Sequence, residues 1–284
     1  MVTVVNRMKH LYRFGIKVFF ILALSGVCAL PAHAQENVWK ELHDNTTSLL
    51  QKKRYADGIK SGEEALKVAK KTFPPGDTHI ADSMNLLGIL YRTYGRYEEA
   101  SPLFHQALSI YKKSLDTSHP NVAKVLYELG EMYLLQNKYA EAASLYKQSL
   151  KIYEKAFGPD HASVVDALNR LGDIYQDQKK YAEAIPFCKR ALEIEEKTLG
   201  ADHPDIAAGM NNLATLYYHV GENTTAETLY KKALEIYEKE YGKDHPFIAT
   251  VLEKMAEFYD GTGRKDEAKQ MTERAKKIYS SYQR

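Results

Sequence analysis

The chain has 284 residues, 44% hydrophobic and 27% charged, with 39 Lys and Arg set against 37 Asp and Glu. That balance is ordinary for a soluble protein. A formal net charge of +2 gives no basis for binding nucleic acid or an anionic membrane.

Residues 1–34 differ in kind from the rest. Arg7, Lys9, Arg13 and Lys17 make a basic start with no acidic residue, and Val18 to Leu30 is an almost unbroken apolar run. Pro31-Ala32-His33-Ala34-Gln35 then supplies the small-x-small pattern of a signal-peptidase site. The segment reads as a secretory signal cleaved after Ala34, with a periplasmic or secreted destination and no membrane insertion afterwards. A retained anchor is disfavoured because the apolar run is short for a bilayer. A lipoprotein signal is disfavoured because the branched Val27 precedes Cys28. Cleavage removes four basic residues and no acidic one, so the mature chain turns slightly negative. It also removes Cys28 and leaves Cys188 alone, without an intramolecular disulfide to form.

Residues 35–76 read as a divergent helical pair, with the first helix expected around 37–52. From 77 to 284 the chain repeats with a period of 42. A small residue is followed three places later by tyrosine at Gly88/Tyr91, Gly130/Tyr133, Gly172/Tyr175, Ala214/Tyr217 and Ala256/Tyr259. Two further ladders keep step: Ala100, Ala142, Ala184, Ala226, Ala268, and Ala107, Ser149, Ala191, Ala233, Ala275. Five registers without an insertion mean one helical hairpin copied and stacked. Within 121–162, Val122, Val125, Leu126, Leu129, Met132 and Tyr133 recur at helical spacing, and Asn137-Lys138 interrupts them. A second helix runs from Tyr139 to Phe157, and Gly158-Pro159-Asp160 ends it. Small residues belong where the two helices cross closely, so a methyl group at Gly130 or Gly172 should push them apart. In the last helix Thr272 and Lys276 replace an aromatic residue and a leucine, as expected of a polar cap.

Met84, Leu87, Gly88, Tyr91, Ala100, Phe104 and Ala107 follow the spaced pattern of the tetratricopeptide repeat, and the sequence resembles that family over five clear copies and a weaker sixth. The long period and the loops Ser118-His119-Pro120, Asp160-His161-Ala162, Asp202-His203-Pro204 and Asp244-His245-Pro246 resemble the kinesin-light-chain variety. The resemblance implies an all-α superhelix, a solenoid of about six two-helix repeats. It also implies that the first helix of each repeat (helix A) lines a groove for a protein or peptide.

The histidine ladder His119, His161, His203, His245 invites a metal reading. Equivalent positions on neighbouring repeats lie about 10 Å apart, however, whereas metal ligands must converge on one ion about 2 Å away. A junction is expected instead, with proline in the first helical turn and the preceding aspartate accepting from the free N–H groups. Glu98-Glu99 and Glu195-Glu196 read as solvated helix faces. Cys188 occupies the aromatic slot of its repeat and reads as a buried, inert thiol. No phosphate loop, His-Glu-x-x-His helix or nucleophile elbow occurs, so no catalytic residue, metal or cofactor is assigned.

Helix-A positions counted from the glycine ladder vary between copies, as a surface that reads a ligand would. They give a candidate groove of Asp82, Asn85, Arg92, Lys124, Tyr127, Glu131, Asp166, Asn169, Asp173, Gln176, Asn211, Thr215, Tyr218, Glu253, Glu257 and Asp260. Asn85, Asn169 and Asn211 could bond the backbone of an extended peptide. Carboxylates there face only Arg92 and Lys124, so a neutral or cationic partner segment is expected. The function expected is an exported, non-enzymatic scaffold. The alternatives are a structural subunit using the outer or end faces and, more remotely, a metal-binding or hydrolytic protein built on the histidines.

Overall fold

The structure is a computed structural model that describes residues 32–282; most of the expected leader, residues 1–31, lies outside the described residues. Twelve α-helices and no strand occur among the described residues. One compact unit holds α1 (Ala32–Gln51), α2 (Tyr55–Thr72), α3 (Thr78–Thr93) and α4 (Tyr97–Ser114), and ends at Thr117. The second begins at Ser118 and holds α5 (Pro120–Leu135), α6 (Tyr139–Phe157), α7 (Ala162–Asp177), α8 (Tyr181–Leu199), α9 (Pro204–His219), α10 (Asn223–Tyr241), α11 (Pro246–Gly261) and α12 (Lys265–Tyr282). Consecutive helices pair into hairpins, two in the first unit and four in the second. α1 starts at Ala32 rather than near 37, because Ala32, Ala34, Gln35 and Glu36 include good helix formers. No described helix is long and apolar enough to cross a membrane.

The turn inside each hairpin is a left-handed residue that recurs with the period: Lys53, Gly95, Asn137, Lys179, Gly221 and Gly263, with φ between 57° and 87°. It lets the next N–H reach back to a helix-A carbonyl, from Arg54 to Leu49 at 2.9 Å in the first hairpin. In the others it reaches the ladder tyrosine, as from Arg96 to Tyr91 at 2.8 Å and from Lys138 to Tyr133 at 2.9 Å. Those bonds satisfy carbonyls that the helix end would otherwise leave open. Glycine tolerates this conformation freely, whereas lysine at the same place is strained by its Cβ.

The close helix crossing joins two of the sequence ladders. A Cβ built on Gly88 would lie 2.8 Å from the Phe104 ring, one on Gly130 would lie 3.0 Å from the Tyr146 ring, and one on Gly172 would lie 2.4 Å from Cys188 Sγ. The small residue of helix A is therefore the floor on which the residue sixteen places later lies. Phe104 and Tyr146 are fully buried there. The half-buried Cys188 thiol is pushed up to about 11 by desolvation, in keeping with an unreactive sulfur. The divergent first repeat keeps the contact with its sizes exchanged. Thr46, fully buried, stands in the glycine position and Gly62 in the aromatic one; a Cβ on Gly62 would lie 3.3 Å from Thr46 Cγ2. Thr46 satisfies its hydroxyl locally, donating to Leu42 O at 2.7 Å and meeting the Ser61 hydroxyl at 2.8 Å.

The histidine ladder lies at the helix-A starts, with one correction. Each imidazole itself caps its helix, and the aspartates that precede three of the four do not. Nδ1 of His119, His161, His203 and His245 accepts the backbone N–H of Asn121, Ser163, Asp205 and Phe247 at 3.1, 3.1, 3.2 and 3.3 Å. The freed aspartates Asp160 and Asp202 instead pair with Lys197 and Lys239, at the far end of the same hairpin.

Candidate partner-binding face

In the first unit, α3 carries Asp82, Asn85 and Arg92. Asp82 accepts the hydroxyl of Tyr111 from α4, and that tyrosine is 2% exposed. Asn85 is only 5% exposed and its Oδ1 has no hydrogen-bond partner. Arg92 is half-buried. So Asn85 is set into the packed face of α3 rather than displayed on it.

In the second unit, Lys124, Asp166, Asn169, Asp173, Gln176, Glu253, Glu257 and Asp260 are exposed, while Tyr127, Glu131, Asn211, Thr215 and Tyr218 are half-buried. Glu131 accepts from Tyr146 OH at 2.6 Å, and Thr215 Oγ1 meets Tyr230 OH at 3.0 Å. Both tyrosines occupy the aromatic slot. In the first unit that slot holds Phe104, which has no hydroxyl, and the matching helix-A residue is Ile89. In these three repeats the helix-A residue follows the chemistry of the buried ring, since a buried hydroxyl needs a partner and a phenyl ring does not. Tyr218 is engaged as well: its hydroxyl would lie 1.8 Å from a Cβ on Gly261, and its ring meets Phe258 edge-on at 5.5 Å.

The expectation that carboxylates face only Arg92 and Lys124 needs correcting. Arg170, one residue after Asn169, bonds Glu131 at 2.7 Å, Asp173 at 3.4 Å and Tyr127 OH at 3.4 Å. Lys254 pairs with Glu257 at 3.0 Å, and Tyr279 OH donates to Glu253 at 3.2 Å. Asp166 and Asp260 make no ion pair among the described residues. Asp173 is 57% exposed, yet desolvation raises its carboxyl above the usual range, with Arg170 opposing.

Glu195 was missed, and the sequence does carry a signal for it. It interrupts a ladder otherwise made of tyrosine in the five clear repeats: Tyr111, Tyr153, Tyr237 and Tyr279. Tyr111, Tyr153 and Tyr237 are buried, and Glu195 is half-buried rather than on a solvated face. Desolvation raises its carboxyl, the nearby Asp205 and Asp166 raise it further, and a hydrogen bond from Asn169 opposes them. Asp166 is also raised, first by desolvation. Three helices, α7, α8 and α9, thus bring carboxylates together beside Asn169. On α9, Asn211 presents an Oδ1 without a partner. Such an arrangement suits a cation or a donor N–H.

The tetratricopeptide repeat family matches the sequence over residues 47–113, 95–155, 163–239 and 205–281. No curated protein sequence matches. Among solved structures, the kinesin-light-chain-type, nearly identical TPR-like repeats of Podosopora anserina are similar at 27% identity and a TM-score of 0.63, covering 71% of this chain and 96% of that one. BtubC (BKLC) from P. vanneervenii is similar at 20% identity and a TM-score of 0.63, covering 90% and 93%. YrrB, described as a TPR protein with an unusual peptide-binding site, is similar at 17% identity and a TM-score of 0.54, covering 75% and 90%.

Proposed function

This chain belongs to the tetratricopeptide repeat family, in its kinesin-light-chain-like form, and on that premise we propose that it is an exported, non-enzymatic scaffold that holds a protein partner. The fold is an all-α solenoid of six two-helix repeats, and such repeats serve as interaction scaffolds. Export rests on the leader, which directs the chain to the periplasm or beyond the cell. The partner lies as an extended, neutral or cationic segment along the helix-A face of the second unit. One observation carries this reading: Glu195 stands where three other repeats bury tyrosine, within electrostatic reach of Asp166 and Asp205 and hydrogen-bonded by Asn169. Peptide binding, named for YrrB, is what such a face would do here. Crosslinking in the native host identifies the partner, and calorimetry over a range of salt concentrations then measures it. Asp166→Asn/Glu195→Gln/Asp205→Asn is expected to weaken binding and flatten its salt dependence. So is Glu253→Lys/Glu257→Lys/Asp260→Lys, at the C-terminal end of the face. Unchanged affinity in both variants would remove the groove from the account.

A second reading, a structural subunit joined through outer or end surfaces, has its own support. Phe157, Leu199, Tyr241 and Phe247 are 39–48% exposed at the ends and starts of helices in the second unit. On that reading the groove variants leave assembly intact, whereas Phe157→Ser/Tyr241→Ser disrupts it.

A further inference from the structure

The four histidine caps of the second unit share a chemical condition. An imidazole nitrogen accepts a hydrogen bond only while it carries no proton. Protonating Nδ1 of His119, His161, His203 or His245 turns the acceptor into a donor aimed at a backbone N–H. It also sets a positive charge at the positive end of a helix dipole. The first unit is built the opposite way. There Asp77 is the cap, accepting from His79 N at 2.9 Å, and His79 Nδ1 faces the same carboxylate at 2.7 Å. A proton on His79 therefore strengthens its junction.

Both signs of charge surround these caps. Lys155 of α6 bonds Ser118 beside His119 at 3.0 Å. At His161, Lys197 of α8 holds Asp160, the Phe157 ring of α6 stacks on the imidazole at 4.3 Å, and Asp166 lies on the same helix. At His203, Lys239 of α10 holds Asp202, Glu240 and Tyr241 of α10 line the same cleft, and Asp205 Oδ2 is 3.6 Å from Nδ1. At His245 the Tyr241 ring stacks at 4.6 Å, Phe247 packs alongside, and Lys243 and Asp244 flank the imidazole in sequence. Arg274 of α12 bonds the Lys243 carbonyl, and Lys277 lines a cleft with Asp244. Lysine or arginine thus stands at every loop, and at two of them it is already paired with the aspartate before the histidine. At His203 the Asp205 carboxylate is placed to receive the turned Nδ1–H.

We propose that the second unit is an acid-responsive stack: between neutral and mildly acidic pH its four helix-A starts loosen, while the aspartate-capped start of α3 does not. A neutral-imidazole cap contributes fully at high pH and is lost as pH falls. His203 responds least, because Asp205 takes over the ring.

Amide hydrogen exchange of the full chain, followed by NMR at about pH 7.5 and about pH 5, tests this. Protection at the Asn121, Ser163 and Phe247 amides is expected to fall by about fivefold or more, the equivalent of one lost cap. Asp205 should fall less, and His79 should hold or gain. A quadruple variant, His119→Asn/His161→Asn/His203→Asn/His245→Asn, keeps a good cap that does not titrate, so its protection should not change with pH. Single His161→Asn reads the same effect at one loop if the quadruple variant does not fold. Equal loss at all five amides, no loss at any, or a pH response that persists in the asparagine variants would each overturn the proposal.

Discussion

The two compact units use one hairpin with two different sets of junctions. In the first, α3 is capped by a carboxylate, and α2 and α4 end in extended Phe73 and Leu115. In the second, every helix A is capped by an imidazole, and α6, α8 and α10 end on Gly158, Gly200 and Gly242 with φ of 79–90°. The helix crossings differ as well: Thr46 over Gly62 at the start of the first unit, but Gly130 under Tyr146 in the second. A repeat can therefore exchange its cap or reverse the sizes at its crossing while the hairpin persists, provided each contact stays complementary.

The largest effect expected tests that complementarity. Tyr146→Ala empties the space above Gly130 and should cost about 3–5 kcal/mol in chemical denaturation. Gly130→Thr alone forces a side chain into the Tyr146 ring and should cost about 1–3 kcal/mol. Combining Gly130→Thr with Tyr146→Gly imports the first unit's arrangement and should recover part of the loss; strict additivity of the two would show that the crossings are not interchangeable.

Acid sensitivity separates the units further. Glu227 of α10 is held at about 2, first by its hydrogen bond to Arg264, then by those from Lys231 and Tyr259, with burial opposing. Arg264 reaches it at 2.6 Å and Lys231 at 2.7 Å. Because the folded-state pKa lies below the ordinary value of 4.5, the stabilisation is present above 4.5 and is lost as pH falls toward about 2. Glu227→Gln should lower stability at neutral pH by about 1–2 kcal/mol and flatten the acid limb of a stability-against-pH curve.

Caps come next. Asp77→Ala in the first unit and His161→Ala in the second should each cost about 1 kcal/mol of thermal or denaturant stability, with His161→Asn close to neutral. The smallest change is a gain. Lys53→Gly and Lys179→Gly relieve a left-handed lysine in either unit and should stabilise by about 0.5–1 kcal/mol, less the entropy that glycine loses on folding. A loss of stability at either position would mean that the lysine side chain supports its turn.

Much of the fold was legible because the contacts that build a hairpin are local. The glycine, the ring sixteen places later and the left-handed turn between them lie within one period, so spacing alone reports them. The candidate face was legible only in part. Variation at the register of Ile89, Glu131 and Thr215 reads as ligand recognition, yet it follows the presence or absence of a buried hydroxyl on Phe104, Tyr146 and Tyr230. Asn85 reads as displayed and is buried. Arg170 and Glu195 lie outside the positions counted from the glycines, although Glu195 betrays itself by interrupting a tyrosine ladder.

By itself the sequence determined the helical repeat, its period, the small residues at the crossings and the histidines at the junctions. Only the tertiary structure decided that the histidines themselves are the caps and that Arg170 joins Glu131 to Asp173. It also decided that Asp166 and Asp205 act electrostatically on the half-buried Glu195. The physical reason is that residues about one repeat apart meet only through the way hairpins stack. That geometry is set by the summed packing of whole helix faces, and no local spacing records it.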